Sequence, residues 1–441
     1  MYIQKVTIEN IRSIEHFEMT FPKPAGWHVL IGDNGAGKSS IVRAIAAVLI
    51  GPEQIAAVLP IWDEWLSYNT QHGKIHLEIR MNKRFDNISQ TPPPQKQPIV
   101  NEFKLEFNGK VQLKTNLDAK KMNPRNYNWG NNGGWFSVAY GPFRRFTGGD
   151  NKWNKVYYSA PKAGAHLSVF GEDIALTEAL DWLKELDRKR LKENEDSTFN
   201  GVLDVRALYI NSDSQKLFHN LKNFINTTGL LPHNTQFQNV DIDGELVFTD
   251  GKGQPVKVIQ LSDGFRSILS LTFELIRQLV NVYGSFKVFK SFEKTKTIDV
   301  PGVVLIDEID AHLHPTWQTR IGEWFTQYFP NIQFIVTTHS PLVCRACEKG
   351  SIWRLAAPGS DMKSEEITGT DKQKLINGNI LDAYGTEVFG SNVVRSAKSD
   401  EMLNRLGELN IKSALGKTSE AENEERLNLQ QILSTDAPTG F

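Results

Sequence analysis

Gly32, Asn34, Gly35, Gly37, Lys38, Ser39 and Ser40 stand close together in LIGDNGAGKSS (30–40), and residues 32–39 fit the spacing G-x-x-x-x-G-K-[ST]. Such a run suits a polyphosphate. Glycines let successive backbone N–H groups converge on one point with no Cβ in the way. A helix that starts at the lysine adds its positive end. Lys38 would reach the β- and γ-phosphates of a nucleotide, and the Ser39 hydroxyl would ligate Mg²⁺. The plainer alternative is a glycine-rich turn. A second stretch, VVLIDE (303–308), is an apolar run ending in two acids. Asp307 is placed to hold Mg²⁺, directly or through water. Glu308 is placed to orient and deprotonate an attacking water. A third, FIVTTHSP (334–341), sets His339 at the end of another apolar run, where an imidazole can sense a terminal phosphate.

These groups need rigid supports. WHVLIG (27–32) reads as a buried strand and KSSIVRAIAAVL (38–49) as a helix, so the glycine loop has the strand–loop–helix setting it requires. The runs before Asp307 and Thr337 suit parallel strands buried on both faces, whose carboxyl ends bind ligands in open α/β sheets. HFEMTF (16–21), KIHLEIRMN (74–82) and EFKLEF (102–107) alternate, which predicts antiparallel strands. WFSVAYGPFRR (135–145) is a strand-like island in a segment rich in Asn, Gly and Trp. Residues 240–260 predict a hairpin with glycine turns. Ile268, Leu271, Leu275 and Leu279 share one face of a helix.

Composition bounds the rest. The chain has 441 residues, a net charge of −1 and 40% hydrophobic residues, enough for a large α/β domain and a second lobe. With no basic excess, contact with nucleic acid requires a local patch or a partner. Arg144, Arg145, Lys152 and Lys155, mixed with Trp129, Trp135 and Trp153, suit either single strands or a subunit interface. The two cysteines, Cys344 and Cys347, exclude a disulfide framework and cannot complete a four-ligand zinc site. The most apolar stretch (41–51) is too short to span a bilayer. A cytoplasmic protein without membrane contact is expected.

LSDGFRS (261–267), lying between the glycine loop and VVLIDE, resembles the signature motif of ABC-type ATPases. The resemblance implies that Ser262 and Gly264 bind the γ-phosphate of ATP held by another subunit. Asp263 replaces a glycine of that motif, and its carboxylate is expected to turn away and cap the helix. IDAHLHP (309–315) falls where the family's D-loop lies, with Asp310 as its acid. The opening IENIRSIEHFEMTF (8–21) resembles the start of SMC-like, RecF-like and OLD-like ATPases, which makes Arg12 a candidate to approach the nucleotide. YGPFRR, LSDGFRS and DEIDAHLHP together look most like compact ATPases of anti-phage defence, among them the Septu type, which works with an HNH nuclease partner.

The resemblance implies an α/β fold: an ABC-type P-loop NTPase head with a mixed N-terminal β-sheet, a parallel core sheet and a helical signature lobe. The expected organisation is an ATPase core over 1–356, with a helical insert lobe at about 118–235, and a helical docking or oligomerisation segment over 357–441. No nuclease domain is expected in this chain. ATP and Mg²⁺ are the implied cofactors, and a homodimer joined through ATP, or a higher homo-oligomer, the implied assembly. The implied function is control of a separate effector, a nuclease in anti-phage defence or DNA processing, with nucleic acid as a further partner. Two alternatives stand beside it: an ATP-binding sensor or scaffold with little turnover, and the nucleotide-binding subunit of a transporter.

Overall fold

Alternating apolar residues at the start of the chain make β1 (Tyr2–Ile11) and β2 (Ile14–Thr20), joined by a two-residue turn at Arg12–Ser13. The continuous run that follows makes β3 (Gly26–Ile31), buried at every position, and leads through the glycine loop into α1 (Lys38–Ile50). β4 (His72–Arg80), β5 (Ile99–Phe107) and β6 (Val111–Thr115) complete a five-stranded sheet in the order β2-β1-β4-β5-β6. This sheet, expected to be mixed, pairs antiparallel throughout. Short hairpin turns such as Arg12–Ser13 permit no other pairing of the strands they join. This computed structural model describes residues 1–433 except 83, 87–96, 117–122, 130–134, 144–155, 157–158, 172–176, 199–212, 242, 358, 361 and 380–396.

The middle of the chain supplies β7 (Ser137–Tyr140), helices α2 (Thr177–Thr198) and α3 (Asp213–Thr227), and a three-stranded meander of β8 (Gln236–Val240), β9 (Leu246–Thr249) and β10 (Pro255–Lys257). Then follow α4 (Asp263–Tyr283), β11 (Gly302–Ile306), α5 (Pro315–Tyr328), β12 (Ile332–Thr337), β13 (Ile352–Arg354), β14 (Glu365–Ile367) and α6 (Gly369–Asn377). The core sheet runs β14-β13-β3-β12-β11-β7. All its pairings are parallel except that of β13 with the edge strand β14. β7, the strand-like island of 135–145, is therefore an edge of the core sheet, although it falls within the span expected as the insert lobe.

α1 explains why its sequence, IVRAIAAVL, is apolar nearly all round. It lies between the two large sheets and packs on both, so nearly every residue is buried. On the opposite face of the core sheet, Trp27 stacks on Phe325 of α5, with ring centroids 6.2 Å apart. Gly322 of α5 makes this approach possible, since a Cβ there would lie 2.8 Å from the Trp27 ring. The described chain divides into two compact units, Met1–Asn377 and Gly378–Phe441. The second is a helical hairpin of α7 (Ala397–Ala414) and α8 (Glu420–Leu433), tied by Arg405 to Glu425 and by Lys412 to Glu422. Among the described residues, no helix is long and apolar enough to cross a membrane.

Candidate functional site

β3, β12 and β11 lie side by side, so the segments that follow them open at one end of the sheet. The glycine loop follows β3. Gly35 and Gly37 have φ of 81° and 91°, values that side chains resist. A Cβ on Gly37 would also come within 3.0 Å of Ile14, in the hairpin that backs the loop. α1 starts at Lys38, and its N-cap, Gly37, offers no side-chain hydrogen bond to the first turn. The first N–H groups of the helix therefore face outward with the loop, as an anion site requires. Ser39 is half-buried and Ser40 buried, while Asn34 and Gly35 are exposed on the loop.

Lys38 is only 6% exposed. Its ammonium donates to the carbonyls of Gly32 (2.7 Å) and Asp33 (2.9 Å). Burial lowers its pKa, and Glu308, Asp307, Asp33 and Asp310 push it back up. One cation thus sits in the field of four carboxylates.

Asp307 ends the middle of this acidic group and is 1% exposed. The Thr337 hydroxyl, from the end of β12, donates to Asp307 Oδ1 at 2.6 Å and accepts the Glu308 N–H at 2.7 Å. The same segment is anchored to both neighbours, through Asp307 N–H to Tyr140 O (2.8 Å) and Ile309 N–H to Thr337 O (3.0 Å). Glu308 takes φ of 48°, in the left-handed region that a non-glycine residue enters at a cost. Strain of this kind persists where surrounding bonds overdetermine it, and it concentrates at working sites. Asp310 Oδ2 accepts the His339 N–H at 3.4 Å, while Oδ1 is buried and has no partner among the described residues. His339 itself is exposed.

The structure therefore gathers the glycine loop, Asp307, Glu308, Asp310 and His339. Ser262 and Gly264 lie at the start of α4, where Gly264 stands close to the backbone of His312, two residues beyond Asp310. Ser262 is the N-cap of α4 and makes no side-chain cap bond. A Cβ on Gly264 would lie 2.8 Å from the His312 carbonyl oxygen. Asp263 does not cap the helix, as expected of it. It is the first helical residue and pairs with Arg266, one turn on. Arg12 lies next to Ser13 and Ile14, which back Gly37, but its guanidinium rests on the Trp65 ring, 4.6 Å from the centroid. Burial first, then the charge of Arg43, lowers its pKa.

Thr337 is a working residue that the sequence motifs alone do not single out. Its signal was available: a threonine ending a fully buried strand must find a partner for its hydroxyl. Trp129 and Trp135 are buried, with Trp129 Nε1 donating to Val48 O at 2.6 Å, so neither offers a face for stacking. Arg144, Arg145, Lys152, Trp153 and Lys155 lie outside the described residues. Cys344 and Cys347 are buried, and burial raises both thiol pKa values, so neither is poised as a thiolate. Thr337→Val should lower stability by about 1–3 kcal/mol, because it removes one partner from both the Asp307 carboxylate and the Glu308 N–H. Urea unfolding checks this. Thr337→Ser, which keeps the hydroxyl, should recover most of the loss.

The pattern of the family described as "AAA domain, putative AbiEii toxin, Type IV TA system" matches residues 28–345, which run from β3 past His339. The chain belongs to this family. The family span holds the glycine loop, the Asp307–Glu308 strand end and the Thr337–His339 strand end in one P-loop ATPase fold. The Septu protein PtuA of Bacillus mycoides (strain KBAB4) is 27% identical over 360 residues, covering 80% of this chain and 40% of that protein. The "Retron Ec83 probable ATPase" of Escherichia coli is 34% identical over 173 residues, 39% of this chain and 29% of that protein. This AAA-domain chain thus spans well under two thirds of the length of these relatives. Among solved structures, the SmcHead bound to the C-winged helix domain of ScpA aligns with 85% of this chain and 100% of that one, at 15% identity and a TM-score of 0.48.

Proposed function

We propose that this chain binds and hydrolyses ATP with Mg²⁺, sandwiches it between two copies, and thereby controls a separate effector. The observation that carries the reading is the meeting of an uncapped helix N-terminus and buried Lys38 with the Asp307–Thr337–Glu308 cluster at adjacent strand ends. The donor set fits a magnesium nucleotide: backbone N–H groups and one ammonium for phosphates, and the Ser39 hydroxyl with the Asp307 carboxylate for a hard cation. Bound there, the cation would neutralise charge on the terminal phosphates. Gly32, Gly35, Gly37 and Ser40 shape or donate to the phosphate cradle, with Asn34 on its rim. Glu308 orients water and accepts its proton. His339, tied to Asp310 by its backbone, responds to the terminal phosphate. Arg12 contributes after leaving the Trp65 ring.

Ser262 and Gly264 present the N-terminus of α4, a second anion site, to ATP held by the other copy. ATP then acts as a ligand that favours the closed pair, and hydrolysis releases it. The C-terminal helical hairpin serves docking or oligomerisation. The effector is a nuclease of HNH type in anti-phage defence. This part of the reading is supported by the Septu and retron names of the relatives.

The test is mass in solution with and without ATP–Mg²⁺. Glu308→Gln should gain an ATP-dependent association, or a compaction of an existing oligomer, and adding Ser262→Arg should abolish it. No response in any variant, although ATP binds, sinks the sandwich.

A further inference from the structure

α4 runs roughly 30 Å at 1.5 Å per residue. Its N-terminus meets His312 at the nucleotide end of the core sheet. Its C-terminus lies at the opposite end, where the Tyr283 hydroxyl donates to the Pro301 carbonyl, just before β11 begins (2.8 Å). Two short helical turns follow, Ser285–Phe289 and Phe292–Thr295, and the backbone stays right-handed helical through Lys290 and Ser291 between them. Val288, Phe289 and Phe292 face inward and are buried, with Phe292 against Phe224 of α3. The outward face carries Phe286, Lys287, Lys290 and Lys294, with Lys296 just beyond.

This stretch is locally basic. The chain as a whole has 50 basic and 51 acidic residues, yet 284–297 holds four lysines and one glutamate, Glu293. On the N-terminal sheet Lys5 pairs with Glu18, Lys104 with Glu102 and Lys114 with Glu106, while exposed Lys23 and Lys110 have no ion pair among the described residues. Among the described residues, none of the four lysines here is ion-paired. Lys296 lies over the Phe292 ring at 5.2 Å. Phe286, 78% exposed, heads the row. Lys290 stands four residues after Phe286 at the end of the first helical turn, and Lys294 four residues further on in the second. A large exposed aromatic beside several unpaired ammonium groups is a combination that holds single strands, by charge on the backbone and stacking on a base. A protein partner would meet the same charges and seat Phe286 in an apolar pocket, and the oligonucleotide measurement separates that outcome from the one favoured here.

We propose that the Phe286–Lys287–Lys290–Lys294 stripe binds single-stranded nucleic acid, remote from the nucleotide site. The inference is independent of the ATP reading, because the stripe and the glycine loop lie at opposite ends of the sheet. The test is fluorescence anisotropy of a labelled oligothymidine with the full chain across a salt series. The three lysines of the stripe at about −0.7 each give a slope of log K against log salt near −2. The variant K287E/K290E/K294E should bind at least about tenfold more weakly, with a shallower slope. Phe286→Ala should weaken binding about fivefold or more with the slope unchanged. The ligand-free melting transition and the far-ultraviolet circular dichroism should be closely similar in all three proteins, which shows that the variants are folded. No binding by the wild type, equal binding by the variants, equally tight binding of a duplex with no effect of Phe286→Ala, or capture of phosphatidylserine vesicles in preference to the oligonucleotide each overturns the proposal.

Discussion

Glu308→Gln is expected to lower ATP turnover by about 10²–10⁴-fold while leaving ATP binding intact. That range is what a positioned general base contributes. Glutamine keeps the shape of the side chain, so the Glu308 N–H bond to Thr337 and the φ of 48° are retained. Only the capacity to accept a proton is lost. Neighbouring Asp307, held by Thr337, is untouched and still available to a cation. Single-turnover hydrolysis measured beside ATP binding separates the two effects. A variant that still turns over at the wild-type rate would move the base elsewhere, or mark the chain as an ATP-binding scaffold.

Lys38→Met is expected to weaken ATP binding by at least about 30-fold, the lower end of what removing one partner of a buried charged pair costs. It should do so without lowering the stability of the ligand-free protein. The sign follows from linkage. A lysine whose folded pKa lies below its unfolded value is a group whose charged form the fold disfavours. Burial is the largest cause, and it outweighs the attraction of Glu308, Asp307, Asp33 and Asp310. Methionine fills much of the same volume without the buried charge. The ligand-free melting temperature should therefore be equal or higher, and the rise normally produced by ATP–Mg²⁺ should vanish. Scanning calorimetry with and without nucleotide reads both. A lower ligand-free melting temperature would show that the bonds to Gly32 and Asp33 matter more to the fold than to the ligand.

The two predictions act on different links of one chain. On the proposed reading Lys38 belongs to the ligand-holding half of the site, whose parts follow each other along β3, the loop and α1. Glu308 belongs to the half that rests on neighbouring strands. Its backbone is bent by a hydroxyl thirty positions away or nearly so, since Thr337 stands 29 residues from Glu308 and 30 from Asp307. Loss of the first removes the ligand. Loss of the second leaves the ligand and removes the proton acceptor.

Local chemistry could be read from the sequence wherever it is contiguous. The glycine loop with Lys38 and Ser39, the acidic end of VVLIDE, the threonines before His339 and the LSDGFRS segment each carry their residue types at fixed short spacing. Backbone sterics and helix polarity tie such spacing to local structure without help from the rest of the chain. The same holds for the apolar runs of the core strands and the alternation of the N-terminal sheet. Tertiary structure decided the rest. It set β12 between β3 and β11, made β7 an edge of the core sheet, and aligned the parallel strands so that Thr337 meets Asp307. It drew Arg12 onto Trp65, buried the two described tryptophans of the basic–aromatic segment, and left Lys287, Lys290 and Lys294 exposed on the stretch that carries Phe286. Strand order, register and exposure arise from contacts between residues far apart in the chain. No local pattern specifies which of several apolar runs will become neighbours, so those facts become legible only when the core is packed.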